Sequence, residues 1–331
     1  MNCPGYGINT LIHWINVTES STTNTTPFIK AVFTIILAIF FFDVQGALIK
    51  HLGGRYPVEQ ISFYRNLFGI LPNLLLLLFS AQWHSNGRSL SPGLWRLALG
   101  RGVLLVLAQL TFYTALVHME LATATTLAFA GPLFITTLSV PLLGHKVGWV
   151  RGSAVVTGFI GVVMVMQPGG DAFTPIALLP VAAALFYALV SLSSRYFDES
   201  VPTALISIYG SIGAMTTALV LLIYKGDPIL LDNLHDWMLF VVMGGVGGTA
   251  VFLLISAYRM ADPSSLSPFE YFGIPFSFML GWLFFNETPF DSLFPGVFFI
   301  VGAGLLVVWR ERALQKTQPG NSTVSGTEPD Q

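Results

Sequence analysis

The stretch Phe28–Ile49, FIKAVFTIILAIFFFDVQGALI, decides the class of this chain. It runs for 22 residues, and past Lys30 its single charge is Asp43. The hydrocarbon core of a bilayer takes about 20 apolar residues per helix, so this run is long enough to cross one. Nine further runs of the same kind follow: Ile61–Ser80, Leu97–Val117, Leu121–Leu143, Val147–Met166, Pro175–Ser194, Thr203–Tyr224, Trp237–Tyr258, Ser264–Phe285 and Pro289–Trp309. A β-barrel would show apolar alternation over about ten residues per strand, whereas these runs are continuously apolar. The pattern predicts an all-α membrane protein with ten transmembrane helices.

Composition excludes the other classes. Of 331 residues, 53% are hydrophobic and 10% charged, against about 25% charged in a soluble domain. Mean hydropathy is +0.70. One soluble core of this size cannot hide that much apolar surface, which argues against a soluble enzyme, a nucleic-acid binder or a disordered chain. The formal net charge of −2 points to no acidic or basic partner. Cys3 is the single cysteine, so no internal disulfide and no thiolate metal site is expected. No nucleotide loop, metal-ligand cluster or nucleophile triad is present, so no cofactor is expected. The partners implied are a small-molecule substrate and the lipid bilayer, with no nucleic acid.

Lys and Arg set the orientation. Lys30, Arg88, Arg96, Arg101, Lys146, Arg151, Arg195, Arg259, Arg310, Arg312 and Lys316 fall on one side of the ten spans. Lys50, Arg55, Arg65 and Lys225 fall on the other. The richer side includes both termini. The expectation is a multi-pass protein of the cytoplasmic (inner) membrane with its N and C termini cytoplasmic. Residues 1–27 form a polar tail without a signal-peptide pattern, and residues 313–331, with Pro, Gly and Ser, read as a disordered cytoplasmic tail.

The two halves match each other. Pro57-Val-Glu-Gln-Ile-Ser-Phe-Tyr64 aligns with Pro202-Thr-Ala-Leu-Ile-Ser-Ile-Tyr209 at an offset of 145, which places Lys50 on Arg195. His118-Met119 falls on Arg259-Met260 at an offset of 141. Each octapeptide covers the second span of a five-span unit, giving repeats at 28–167 and 175–312. Five is odd, so the two units must cross the membrane in opposite senses. Two inverted five-helix repeats are a hallmark of secondary transporters, because one fold inserted twice, upside down, can open to either side.

Five segments then resemble the EamA-type carriers of the drug/metabolite transporter superfamily. They are Ile61-Ser-Phe-Tyr-Arg-Asn-Leu67, Thr126-Leu-Ala-Phe-Ala-Gly-Pro-Leu-Phe134, Gly158-Phe-Ile-Gly-Val162, Pro268-Phe-Glu-Tyr271 and Gly281-Trp-Leu-Phe-Phe-Asn-Glu287. The resemblance covers about residues 28–312. It implies gradient-driven transport of a small polar metabolite: a vitamin such as riboflavin, an amino acid, or a nucleoside-type compound such as S-adenosylmethionine. Export of amino acids, metallophores or drugs on the same scaffold is the alternative. One departure is visible: where the family often has Gly-Glu-Lys after span 4, this chain has Gly144-His145-Lys146, while Glu287 after span 9 is present.

Ionisable groups inside membrane helices are expensive, which makes them candidates. Asp43 lies 13 residues past Lys30, about 20 Å into its helix. Arg65 starts the next span from the other side. A structural ion pair between them fits, and so does a site in which Arg65 holds an anionic group and Asp43 orients it; the resemblance favours the second. Glu270 sits about 9 Å into span 9 among apolar neighbours, where a carboxyl can exchange protons, so it is the candidate for proton coupling. Gly131-Pro132 in span 4, and Pro268, Gly273 and Pro275 in span 9, predict helix breaks at matching places in the two halves. Tyr64, Gln109, Tyr113, Tyr209, Tyr258 and Tyr271 could line the cavity around a planar polar cargo. A membrane-embedded enzyme would need paired acidic or His-rich motifs at the membrane edge, and the scattered His residues do not supply them. A non-transporting scaffold or a channel is a third class, and a channel would not need coupling carboxylates inside the bundle.

Overall fold

The computed structural model describes residues 25–317, apart from 86, 88–89, 91–92, 144–148, 168–173, 194–195, 199–200, 227 and 261–265. The described part is built from helices: α1 Thr25–Gly53, α2 Val58–Leu78, α3 Trp95–His118, α4 Leu121–Ala128, α5 Gly131–Leu143, α6 Trp149–Met166, α7 Leu178–Ser193, α8 Thr203–Lys225, α9 Leu234–Met260, α10 Gly273–Phe285 and α11 Gly296–Thr317. Among the described residues, seven stretches are long and apolar enough to cross a membrane: α1, α2, α3, the joined Leu121–Leu138, α7 with its preceding turn, α8 and α9. Three shorter apolar stretches lie at Gly152–Met166, Phe269–Phe285 and Gly296–Leu306. The last helix continues to Thr317, so the polar tail starts later than residue 313. The first 24 residues, the Gly144-His145-Lys146 turn and Arg195 lie outside the described residues.

Local chemistry marks the helix ends. Pro57 and Pro202, partners in the internal repeat, both occupy N-cap positions with extended backbone, where the missing N–H costs nothing. Gly226 closes α8 in the left-handed conformation at φ 75°.

Two helices are interrupted. Between α4 and α5 the chain tightens at Phe129, whose N–H donates to the carbonyls of both Thr125 and Thr126. Gly131 and Pro132 then open α5. In the second half, Ser267–Phe272 forms a 3-10 turn and the α-helix begins at Gly273. Pro275 falls in the first turn of α10, where no intrahelical donor is needed.

Most of the extensive helix contacts come in related pairs, although the packing of α1 on α3 has no counterpart of like extent between α7 and α9. α9 packs on α1 as α3 packs on α7. α8 packs on α3 as α9 packs on α2. α5 packs on α7 as α10 packs on α1. α2 with α8 and α6 with α11 complete the set. Exchanging α1, α2, α3, α5 and α6 for α7, α8, α9, α10 and α11 leaves this set unchanged. Glycines allow two of the crossings. A Cβ on Gly102 would lie 2.4 Å from the backbone of Gly213 and Ala214, and one on Gly296 would lie 2.7 Å from the Gly161 carbonyl. Outward-facing Phe33, Leu71, Val220 and Leu283 are exposed, as a lipid-facing surface requires.

Candidate functional site

At the centre of the bundle lies a cavity of about 410 Å3. Helix periodicity delivers its wall: Ile39, Asp43 and Gly46 share one face of α1, and Leu105, Phe112 and Tyr113 one face of α3. Arg65 enters from α2 and Tyr187 from α7. Both interrupted helices touch the space, through Thr125 and Phe129 at the first break and Gly273 at the second.

Asp43 is buried, and its Oδ2 has no hydrogen-bond partner among the described residues. No ion pair joins it to Arg65, so the structural pair considered from the sequence does not form. The gap follows from the cavity itself, which separates α1 from α2 at this depth. Arg65 is instead steadied by its neighbour: Nη1 donates to Asn66 Oδ1 at 3.4 Å. Asn66 is fixed in turn, with Nδ2 donating to Gln109 Oε1 at 2.8 Å and Ser62 Oγ donating to the same oxygen at 2.6 Å. Gln109 therefore braces α2 against α3 behind the cavity wall.

The cavity wall includes Asp43, Arg65, Tyr113 and Gly273 from the candidates, and the other candidates stand elsewhere. Tyr64 lies in an aromatic cluster with Phe68, Trp237 and Phe240, the last at 4.7 Å between ring centroids. Tyr209 donates its hydroxyl to Leu90 O at 3.0 Å. Tyr271 lies 5.2 Å from the Phe129 ring and fills the space beside Gly304. Glu270 is half-buried on the 3-10 turn next to Tyr271. The Tyr258 side chain is outside the described residues. Sequence reasoning missed Tyr187, Thr125 and the Ser62–Asn66 brace. The brace was legible in principle, since Ser62, Asn66 and Asn73 recur on one side of an apolar helix.

The end of the bundle where α1 stops and α2 begins is tied by charges. Lys50 Nζ meets Glu287 Oε1 at 2.7 Å and donates to the carbonyls of Met119 at 2.6 Å and Leu116 at 3.0 Å. The other carboxylate oxygen of Glu287 accepts from Leu121 N at 2.7 Å. This one pair fastens the ends of α1 and α10 to the α3–α4 turn. Beside it, Arg55 and the Tyr56 hydroxyl both reach Asp236 Oδ2, at 2.9 and 2.7 Å, and Lys225 pairs with Glu59. Burial, and then the bond to Asp236, push the Tyr56 phenol up to about 12.

The EamA-like transporter family matches this chain twice, at residues 29–167 and 174–309. The chain is 27% identical over 277 residues to the S-adenosylmethionine uptake transporter of Rickettsia bellii, spanning 84% of this chain and 92% of that protein. It is 27% identical over 286 residues to the pseudopaline exporter of Pseudomonas aeruginosa, spanning 86% and 95%. A solved crystal structure shares the fold at a TM-score of 0.57 and 19% identity, covering 88% of this chain and all of that one. The family matches, which together span most of the chain, agree with a bundle of apolar helices around a cavity that holds Asp43 and Arg65: this protein is a small-molecule transporter and belongs to the EamA-like transporter family.

Proposed function

We propose that the chain is a secondary active transporter working by alternating access, with the central cavity as its cargo site. The observation that carries this is the cavity wall. It joins a buried unpartnered carboxylate, a guanidinium and the two helix interruptions in one space between the halves. Freed backbone groups at broken membrane helices are where transporters bind cargo. We read the seven long apolar stretches and the three shorter ones as ten spans in two inverted five-helix repeats, a reading supported by the contacts that pair under exchange of the halves. With an even span count both termini lie on one side, the cytoplasmic side by the Lys and Arg excess, in the inner membrane. The cargo is a small polar metabolite of the amino-acid or nucleoside type. The uptake relative's name supports S-adenosylmethionine as the first compound to try, and the exporter's name keeps outward movement on the same scaffold open.

The test is counterflow in reconstituted vesicles. Labelled S-adenosylmethionine should enter faster when unlabelled S-adenosylmethionine is inside, and Arg65→Gln should remove the stimulation. If S-adenosylmethionine, riboflavin and a set of amino acids all enter without stimulation, the carrier reading fails. Proton coupling is assigned to Glu270. Glu270→Gln should abolish gradient-driven accumulation while leaving exchange intact. Normal accumulation by that variant would move the assignment to Asp43.

A further inference from the structure

A second cavity of about 180 Å3 adjoins the central one. Arg65, Leu105 and Val251 border both spaces, so they meet beside the Arg65 side chain. The remaining wall includes Arg101, Asn73, Val190, Ser207 and Ser211. These positions all lie toward the helix ends nearest the chain termini. Arg101 stands six residues into α3, about 9 Å from that end, while Arg65 stands about 10 Å from the opposite end of α2. The smaller cavity thus leads from the terminal end toward the central one.

Among the described residues Arg101 is a cation without a counter-charge. Its Nη2 donates to Val190 O at 2.9 Å, its guanidinium lies over the Phe197 ring, and its Nε is buried with no partner. No acidic side chain forms an ion pair with it among the described residues. Lys50, Arg55 and Lys225, at the other end, each have a carboxylate. An intramembrane guanidinium left without a carboxylate beside a cavity marks a ligand pathway. The hydroxyls of Ser207 and Ser211 line the same cavity and can donate to an anion, while Asn73 donates through Nδ2 to Gly69 O and can offer its second amide hydrogen. Along the two joined spaces the charges are Arg101, then Arg65, then Asp43, the single acidic side chain on their walls.

We infer that the Arg101 cavity is a separate anion subsite, which takes a carboxylate or phosphate group of a soluble cargo and lies between the terminal end and the Arg65 site. Its place on a cargo path rests on the carrier reading above. Its preference for anions does not, and can be measured without any cargo.

The experiment uses the full chain with Cys3→Ser and Ser207→Cys, in vesicles of zwitterionic lipid. Ser207 is partly exposed, so a cysteine there can be reached. The rate of modification by an anionic methanethiosulfonate is divided by the rate with a cationic one. Ionisation of the thiol affects both rates equally and cancels. The ratio should favour the anion by about tenfold, fall about tenfold in Arg101→Gln, and hold in Arg101→Lys. Benzoate should slow the anionic reagent when Arg101 is present and not in Arg101→Gln. A ratio near one in the otherwise unchanged chain overturns the inference, and needs no variant to fold. So does an identical ratio in Arg101→Gln, or no modification by either reagent. Loss of the preference when anionic lipid is added would assign the site to a headgroup and overturn it too. Failure here with intact counterflow removes the subsite alone; failed counterflow with the preference intact removes the carrier reading alone.

Discussion

Asp43 and Lys50 lie seven residues apart on one helix and differ in how their charges are met. Lys50 has a carboxylate and two carbonyls within reach, and it and Glu287 are each only 12% exposed. Removing one partner leaves the other charge buried alone, which costs about 3 kcal/mol. Lys50→Met and Glu287→Gln should each lower the thermal midpoint in detergent markedly, and the exchanged pair Lys50→Glu with Glu287→Lys should recover part of the loss. Asp43 is the reverse case. An unpartnered buried carboxyl weakens the resting fold, so Asp43→Asn should raise the thermal midpoint by a few degrees while abolishing counterflow. A variant that lost stability would show that Asp43 serves packing. At this scale the sequence marked Asp43 and Arg65 as unusual, because an intramembrane charge stands out in any apolar run. It could not show whether they touch. That depends on the width of a cavity formed by helices remote in sequence. Tyr64 and Tyr209 misled for the same reason: a Tyr in an apolar run fits a cavity wall, an aromatic cluster or a backbone bond equally well.

Helices were legible from run length, because a bilayer demands that length whatever lies around it. The interruptions were legible from Gly131-Pro132 and Gly273. The first break nevertheless sits ahead of its proline, at Phe129, because proline is tolerated at the start of a helix and disrupts what precedes it. The crossing of α6 and α11 was not legible, although Gly161 and Gly296 were visible, since nothing local states which glycine meets which. Gly296→Val would push a side chain against the Gly161 carbonyl and force the helices apart. It should reduce folded yield and thermal stability strongly. Gly100→Ala is the contrast. A Cβ there meets nothing within 4 Å, and alanine is the better helix former by up to about 1 kcal/mol. It should leave stability equal or higher, as a thermal scan of both variants would show.

Across the whole molecule, the duplication was visible in one octapeptide match and in the odd number of runs per half. The contact pattern that survives exchange of the halves adds a three-dimensional counterpart that no linear reading provides. Exchange also raises a question about the Lys50–Glu287 fastening. Its counterpart at the terminal end would use Arg195, the repeat partner of Lys50, and the residue standing where Glu287 stands, which is His145. Two basic groups cannot hold each other as a cation and a carboxylate do. The sequence thus repeats the positions of this bolt in the other half without repeating its opposite charges. His145→Glu would put a carboxylate at the repeated position. Modification of Ser207→Cys from that side should then slow severalfold, and a rate left unchanged would mean that the two ends were never built alike.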